Sequence, residues 1–358
     1  MPDGTGRPMK PPPMTGSTMA TPILPKLPRF HLIAVTVFVT GMIGPAPSPP
    51  AAAQSPCSTP LTDPQTDHLQ RDNPSAAALA KALGPGFSVY RTDHFAIASN
   101  VDRQLTLAAG RTLEQTARCV RAFLAAHHLS IARIDHPWQA VFAGKWTDLA
   151  SLPACAGPRT PGQTGFFDPA SQRSYFVTTA SLSHPSETAT AQLARQANLL
   201  TVAHEAAHQV LAALNPRLSA NAPHWLAEGF ACMFELPCPT GSDFRIADNP
   251  WRAADALADA ASQPADAGHP TLNALVSKRW PELLASGAAE SQLYARSWSL
   301  VYYLHTRRRD PFTQYLRAIE AMDTPHYARR QADLFRSHLG PPDDKMARSV
   351  IRLLRQDP

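Results

Sequence analysis

The fold of this chain is decided by the stretch HEAAH at residues 204–208 and by the later stretch WLAEGFA, which contains Glu228. Residues four apart on a helix project from one face, so His204 and His208 can reach a single metal ion. Glu205 lies beside that ion but is poorly placed to bind it. A second helix that returns to the first supplies Glu228 as a third ligand. The two stretches therefore predict one catalytic Zn²⁺ ion held by His204, His208 and Glu228.

This ligand set predicts a hydrolytic reaction. Two neutral imidazoles and one carboxylate leave net positive charge on the ion and a fourth position for water. That charge makes the water acidic, and Glu205 is left to accept its proton and pass it to a leaving group. We therefore expect hydrolysis of an amide bond. The alternative is a pair of structural histidines on a helix beside a glutamate that forms a salt bridge.

Both stretches resemble the gluzincin metallopeptidases, which carry HExxH on one helix and a zinc-binding glutamate on the next. They look most like the aminopeptidase N branch and its bacterial relatives with peptidase-MA-like domains. The resemblance covers residues 86–323 as a pattern of elements. It implies a zincin-like α+β fold, with His204, His208 and Glu228 as zinc ligands and Glu205 as the general base.

The resemblance also implies a role for Tyr294. The run LYARSWSL at residues 293–300 is similar to the segment in which aminopeptidase N relatives place a tyrosine that hydrogen-bonds the tetrahedral oxyanion. A phenol donor aimed at developing negative charge stabilises mainly the transition state. The alternative is a tyrosine that packs on an aromatic helix with Trp298, Tyr302 and Tyr303.

One departure from the aminopeptidases bears on specificity. Those enzymes bind the free amino terminus of the substrate with a Gly-x-Met-Glu-Asn motif upstream of HExxH, and this sequence has no such motif. We therefore expect an endopeptidase that acts on a peptide or protein substrate.

The N-terminal part of the chain has the composition of an export signal followed by a linker. Residues 30–44 form an apolar run that is short for a membrane span, and three alanines at 51–53 fit a cleavage site. Residues 1–53 are predicted to be a signal peptide with an extended n-region, or an uncleaved anchor that makes the only membrane contact. Residues 54–85 are predicted to be a Pro- and Ala-rich linker. The protein is expected to be exported, to the periplasm or the outside of a bacterial cell.

Charge adds little to this assignment. The net charge is +5, and the positive residues are mostly scattered along the chain. No basic stripe interleaved with aromatic residues occurs, so we expect no nucleic-acid partner.

The remaining patterns predict an α+β protein, with a zincin-like subdomain at 86–240 and a helical C-terminal subdomain at 241–358. A small mixed sheet packs on the HExxH helix, and substrate lies between the two subdomains. Strands are predicted at 87–91, 94–98, 138–142, 165–167 and 174–178. Helices are predicted at 101–129, 187–214, 223–235, 248–262, 271–285, 291–308, 311–322, 327–339 and 343–355.

In gluzincins the edge strand beside the cleft pairs with the substrate backbone, which makes residues 174–179 the candidate for that strand. The alternative is an interior strand of a hairpin.

Five cysteines in an exported chain allow two disulfides and one remaining thiol. The candidate pairs are Cys232 with Cys238 and Cys119 with Cys155, which leaves Cys57 over.

Two functions from different classes fit the sequence. The first is an exported zinc metallopeptidase. The second is a catalytically silent envelope protein that uses a zinc-stapled fold for binding or scaffolding. A peptidase requires the carboxylate of Glu205, whereas a structural zinc site requires only the three ligands, so the presence of Glu205 and Tyr294 favours the enzyme.

Overall fold

The computed structural model describes residues 74–155, 163–178, 189–235, 249–262, 271–323 and 328–356. All of these residues lie in one of the two units into which the chain divides, Leu32–Pro358. No helix within the described residues is long and apolar enough to cross a membrane. The predicted signal segment lies outside the described residues.

Five strands form one mixed sheet in the order β1-β2-β3-β5-β4. The strands are β1 (Ser88–Arg91), β2 (Phe95–Ser99), β3 (Trp138–Ala143), β4 (Gly165–Asp168) and β5 (Arg173–Val177). The central pairs β2–β3 and β3–β5 are parallel, and the outer pairs β1–β2 and β4–β5 are antiparallel. The predicted small mixed sheet is therefore confirmed.

Twelve α-helices occur in the described part of the chain. They are α1 (Pro74–Leu83), α2 (Arg103–Ala126), α3 (Ala189–Leu214), α4 (Pro216–Asn221), α5 (His224–Met233), α6 (Pro250–Ser262), α7 (Leu272–Ser277), α8 (Trp280–Ala285), α9 (Glu290–Arg307), α10 (Arg309–Glu320), α11 (Ala328–Leu339) and α12 (Asp344–Gln356). The strands lie in the first half of the described chain, and every described element after β5 is a helix. The predicted α+β class with a mainly helical C-terminal region is confirmed.

The sheet separates two apolar cores because alternate side chains of a strand point to opposite faces. In β3, Ala140 and Phe142 join the larger core with residues of α2 and α3. Their neighbours Val141 and Ala143 join a smaller core on the other face. Helix α3 also contacts β4 and β5 directly. The helix that carries HExxH is thus held against the sheet, as predicted.

The last part of the predicted linker is helical. Residues 74–83 form α1, which contacts β1 and β2 and buries Leu79 and Leu83 in the smaller core. Pro74 does not prevent this helix, because proline is tolerated in the first turn.

Two helical segments differ from the expected pattern. The reversal after α3, predicted to be a loop, contains α4, which starts at Pro216. The helix predicted at 271–285 is two helices, because Lys278 and Arg279 adopt extended backbone angles between α7 and α8. Pro281 in the first turn of α8 fits this new start.

Candidate metal centre

Helices α3 and α5 carry the three predicted metal ligands. A capped reversal joins the helices: the side chain of Asn215 accepts the N–H of Leu218 at 2.9 Å and donates to Glu320 at 2.7 Å. Pro223 then precedes α5 as its N-cap residue. Helix α5 therefore lies against α3, and Glu228 reaches the two histidines of HExxH.

The three predicted ligand atoms form a small triangle. Nε2 of His204 lies 3.2 Å from Nε2 of His208 and 3.2 Å from Oε2 of Glu228. The third side, from Nε2 of His208 to Oε2 of Glu228, is 3.5 Å. Ligands placed tetrahedrally at about 2.0–2.1 Å from zinc are separated by about 3.3–3.4 Å. The triangle therefore has the dimensions of one face of a zinc coordination tetrahedron.

The charges at this triangle also fit a cation. Glu228 is fully buried, and within the described residues its Oε1 has no hydrogen-bond partner. Oε1 of Glu205 is likewise buried and without a described partner. Buried carboxylate oxygens are costly unless a donor or a cation compensates them. The residues present can thus hold a metal ion.

The pKa shifts of His204 and Glu228 reflect the same arrangement of charges. Burial alone lowers the pKa of His204, but hydrogen bonding with Cys232, Glu228 and Glu235 outweighs it, and the pKa lies well above its usual value. Burial alone raises the pKa of Glu228, but the nearby charge of His208 and hydrogen bonds from both histidines bring it well below its usual value. The surroundings therefore favour positive charge at His204 and negative charge at Glu228.

The sheet positions Glu205. The backbone N–H of Phe167 in β4 donates to Oε2 of Glu205 at 2.9 Å, and Oε1 is the oxygen without a described partner. Burial raises the pKa of Glu205, although the nearby His204 and His208 act in the opposite direction. Gly165 allows this close approach, since a Cβ there would lie 2.7 Å from Cγ2 of Thr201 in α3.

Helix α9 brings Tyr294 to the same place. Its ring meets that of His204 edge to face, with centroids 5.8 Å apart, and also contacts Trp280 at 5.5 Å. Trp298 instead stacks on Tyr302. Tyr294 is buried, and burial together with the nearby Glu228 raises the pKa of its phenol well above the usual value. The phenol therefore stays protonated and able to donate.

A glycine sets the distance between α5 and α9. A Cβ on Gly229, the residue after Glu228, would lie 2.4 Å from the carbonyl oxygen of Ser297 and 2.7 Å from Cγ2 of Val301. Only glycine fits this crossing, because the nearest contact is with backbone. The crossing places Glu228 and Tyr294 on adjoining surfaces of the two helices.

The structure adds three residues that the sequence patterns do not identify. Glu235 accepts a hydrogen bond from Nδ1 of His204 at 3.0 Å, and it also accepts hydrogen bonds from Arg252 and Asn249. In the sequence, Glu235 is only the last residue of the helix predicted at 223–235. Arg252 and Asn249 follow a segment without a motif, so no spacing rule connects them with His204.

A second group of possible metal ligands shares His204. Nδ1 of His204, the thiol of Cys232 and the carboxylate of Glu235 also lie close enough together to hold an ion. The distance from Sγ of Cys232 to Nδ1 of His204 is 3.9 Å. Burial and the charge of Glu235 raise the pKa of Cys232 to about 11, so its thiol is protonated at neutral pH.

Two further expectations need correction. Residues 174–178 belong largely to β5, which lies between β3 and β4, so the interior alternative is right and β4 is the edge strand on this side. The pairing of Cys119 with Cys155 is wrong. Both are buried thiols, and they belong to the separate cores on the two faces of the sheet. Cys232 is also a buried thiol, whereas Cys57 and Cys238 lie outside the described residues.

Two further histidines, His305 and His224, remain separate from the ligand triangle. His305 pairs with His127 in the larger core, at 3.0 Å between ring nitrogens. The ring of His224 makes a tilted contact with that of Trp280, with centroids 5.6 Å apart.

Comparison with protein families gives one match in this region. Residues 198–325 match a family model described as a protein of unknown function (DUF1570). No curated protein matches the sequence. The matched part runs from within α3 to just beyond α10. The matched part contains all five predicted site residues, His204, Glu205, His208, Glu228 and Tyr294.

Proposed function

We propose that this protein is an exported zinc-dependent metallopeptidase that hydrolyses peptide bonds within a polypeptide. The observation that carries the proposal is the triangle of His204, His208 and Glu228 with the carboxylate of Glu205 beside it. The resemblance to gluzincins supports the peptide substrate, and the apolar run at 30–44 supports export.

The donor set favours zinc at the triangle. Two imidazoles and one carboxylate with an open fourth position are typical of catalytic zinc sites. The group of His204, Cys232 and Glu235 is a weaker candidate, because Arg252 already forms an ion pair with Glu235 at 2.7 Å. A cation there would lie beside a guanidinium and require the loss of the Cys232 proton.

The residues of this chain then have distinct tasks. When bound, zinc would make a water molecule acidic and polarise the scissile carbonyl. Glu205 accepts the proton of the water through Oε1, while the N–H of Phe167 fixes the other oxygen. Glu205 subsequently delivers the proton to the leaving amine. Tyr294 donates its phenol hydrogen to the oxygen on which negative charge develops.

The edge of the sheet supports binding of an extended peptide. Within the described residues no strand pairs with the outer side of β4, and β4 contacts Glu205 directly through Phe167. A substrate that adds to β4 as a further strand would bind through its backbone and tolerate varied side chains.

The test is cleavage of a quenched-peptide library by the zinc-loaded protein and by Glu205→Gln. We expect cleavage at internal bonds, a loss of about 10²–10⁴-fold in Glu205→Gln, and the same zinc content in both proteins. Glu114→Gln is a matched control, because Glu114 is buried and lies in a separate network with His94 and Thr92. A zinc-loaded wild type that cleaves nothing would favour a binding or scaffolding protein, and undiminished cleavage by Glu205→Gln would refute the role of Glu205.

A further inference from the structure

Helix α6 contacts the candidate metal centre through one guanidinium. Arg252 donates to both oxygens of Glu235, from Nη2 to Oε1 at 2.7 Å and from Nε to Oε2 at 3.0 Å. Asn249 donates to the same Oε2 at 2.7 Å. The side chains of Arg252 and Glu235 are 13% and 5% exposed. This two-point contact fixes the plane of the Glu235 carboxylate.

Glu235 transmits that orientation to His204. Its Oε1 lies 3.0 Å from Nδ1 of His204. Because an ionised carboxylate can only accept, Nδ1 carries a proton, which leaves Nε2 as the nitrogen that would bind a metal ion at the triangle. A chain of polar contacts therefore leads from α6 through Glu235 to one metal ligand.

The same guanidinium also meets Tyr294. The central carbon of Arg252 lies 5.3 Å from the centroid of the Tyr294 ring, within the range of cation–π attraction. Arg252 is consequently in contact with both the partner of His204 and the candidate oxyanion donor.

A separate contact holds α6 on α9. Nε of Arg296 donates to Oδ2 of Asp259 at 2.6 Å, and the two side chains are 13% and 4% exposed. Asp259 lies two helical turns beyond Arg252. Attachment of α6 to α9 therefore does not depend on Arg252 alone.

We propose that Arg252 is a positioning residue that sets the metal affinity of His204 through Glu235 and holds the ring of Tyr294 over the site. This inference rests on the proposed zinc site. If Arg252 only attached α6 to the rest of the protein, substitutions of Arg252 and of Asp259 would affect zinc binding equally. If Arg252 positions His204, only substitution of Arg252 weakens zinc binding.

The experiment compares Arg252→Met, Arg252→Lys and the control Asp259→Asn in the full-length protein. Zinc dissociation constants are measured by competition with a chelator, and melting temperatures are measured without metal. We expect Arg252→Met to weaken zinc binding by about 10–100-fold, as is usual for residues that orient a ligand. Arg252→Lys should also weaken it, because an ammonium cannot form the two-point contact. Asp259→Asn should lower the melting temperature but leave zinc affinity unchanged. At saturating zinc, kcat of Arg252→Met should fall with little change in KM.

Equal zinc affinity in wild type and folded Arg252→Met would overturn the proposal, as would an equal loss in Asp259→Asn. If Arg252→Met does not fold, Arg252→Lys decides: wild-type affinity contradicts the inference, and weaker binding at wild-type melting temperature supports it. An unchanged kcat of Arg252→Met at saturating zinc would refute the inference that Arg252 holds the ring of Tyr294 over the site. Failure of the wild type to bind zinc would instead refute the proposed function, so the two failures are distinguishable.

Discussion

Gly229→Ala tests whether the α5–α9 crossing positions the metal centre. The added Cβ would lie 2.4 Å from the carbonyl oxygen of Ser297, and real Cβ atoms essentially never come closer than 3.0 Å to a non-bonded heavy atom. The two helices would therefore have to separate by about 0.6 Å, since a helix backbone cannot bend away as a side-chain tip can. Such overpacking costs about 1–3 kcal/mol, and the better helix propensity of alanine returns at most about 1 kcal/mol. We expect a net loss of stability and weaker zinc binding, because Glu228 precedes Gly229.

The assay is urea denaturation of the metal-free protein together with a zinc competition titration. Gly110→Ala in α2 is the matched control. A Cβ there would meet only the side-chain ends of Thr92 and Ile97, at 3.2 and 3.3 Å. These ends can shift slightly, so Gly110→Ala should be neutral or mildly stabilising. The reasoning is refuted if Gly229→Ala is as stable as the control and binds zinc like the wild type.

Three further predictions concern other parts of the account. Tyr294→Phe should lower kcat of the zinc-loaded protein by about 10²–10³-fold with little change in KM, whereas wild-type kcat would mean that Tyr294 is only a packing residue. Gly165→Ala should lower the free energy of unfolding by about 1–3 kcal/mol, measured by denaturant unfolding. The added change Thr201→Ser should recover part of that loss, because it removes the methyl that lies 2.7 Å from the new Cβ. A double variant no more stable than Gly165→Ala would contradict this. Burial lowers the pKa of His127 to about 3 and that of His305 to about 4. The unfolded chain therefore binds more protons than the folded protein as the pH falls below about 6.5, and stability falls with it. His127→Gln should weaken this dependence between about pH 6.5 and 5, and an identical pH profile for the variant would exclude His127 as a cause.

The sequence was sufficient for the elements that carry strong periodic patterns. All five strands and the helices α2, α3, α5 and α9 lie within a few residues of their predicted positions. HExxH marks its own helix, and Asn215 with Pro216 marks the reversal that returns Glu228 to it. The geometry of the ligand triangle follows from these local features.

What the sequence could not supply were contacts between distant segments. Strand order decides which strand lies at the edge, and a hairpin pattern at 165–178 does not say which arm pairs with β3. Which face of the sheet a cysteine lies on is also a tertiary property, so Cys119 and Cys155 could not be excluded as a pair from their spacing. Arg252 reaches His204 only through Glu235, and such chains of contacts leave no motif.

The central claim is that His204, His208 and Glu228 hold one zinc ion. Its most direct test is anomalous diffraction at the zinc edge from crystals of the zinc-loaded protein. The account predicts a single zinc peak bound by Nε2 of both histidines and by Glu228 at about 2.0–2.2 Å. A peak between His204, Cys232 and Glu235, or no bound zinc at all, would contradict it.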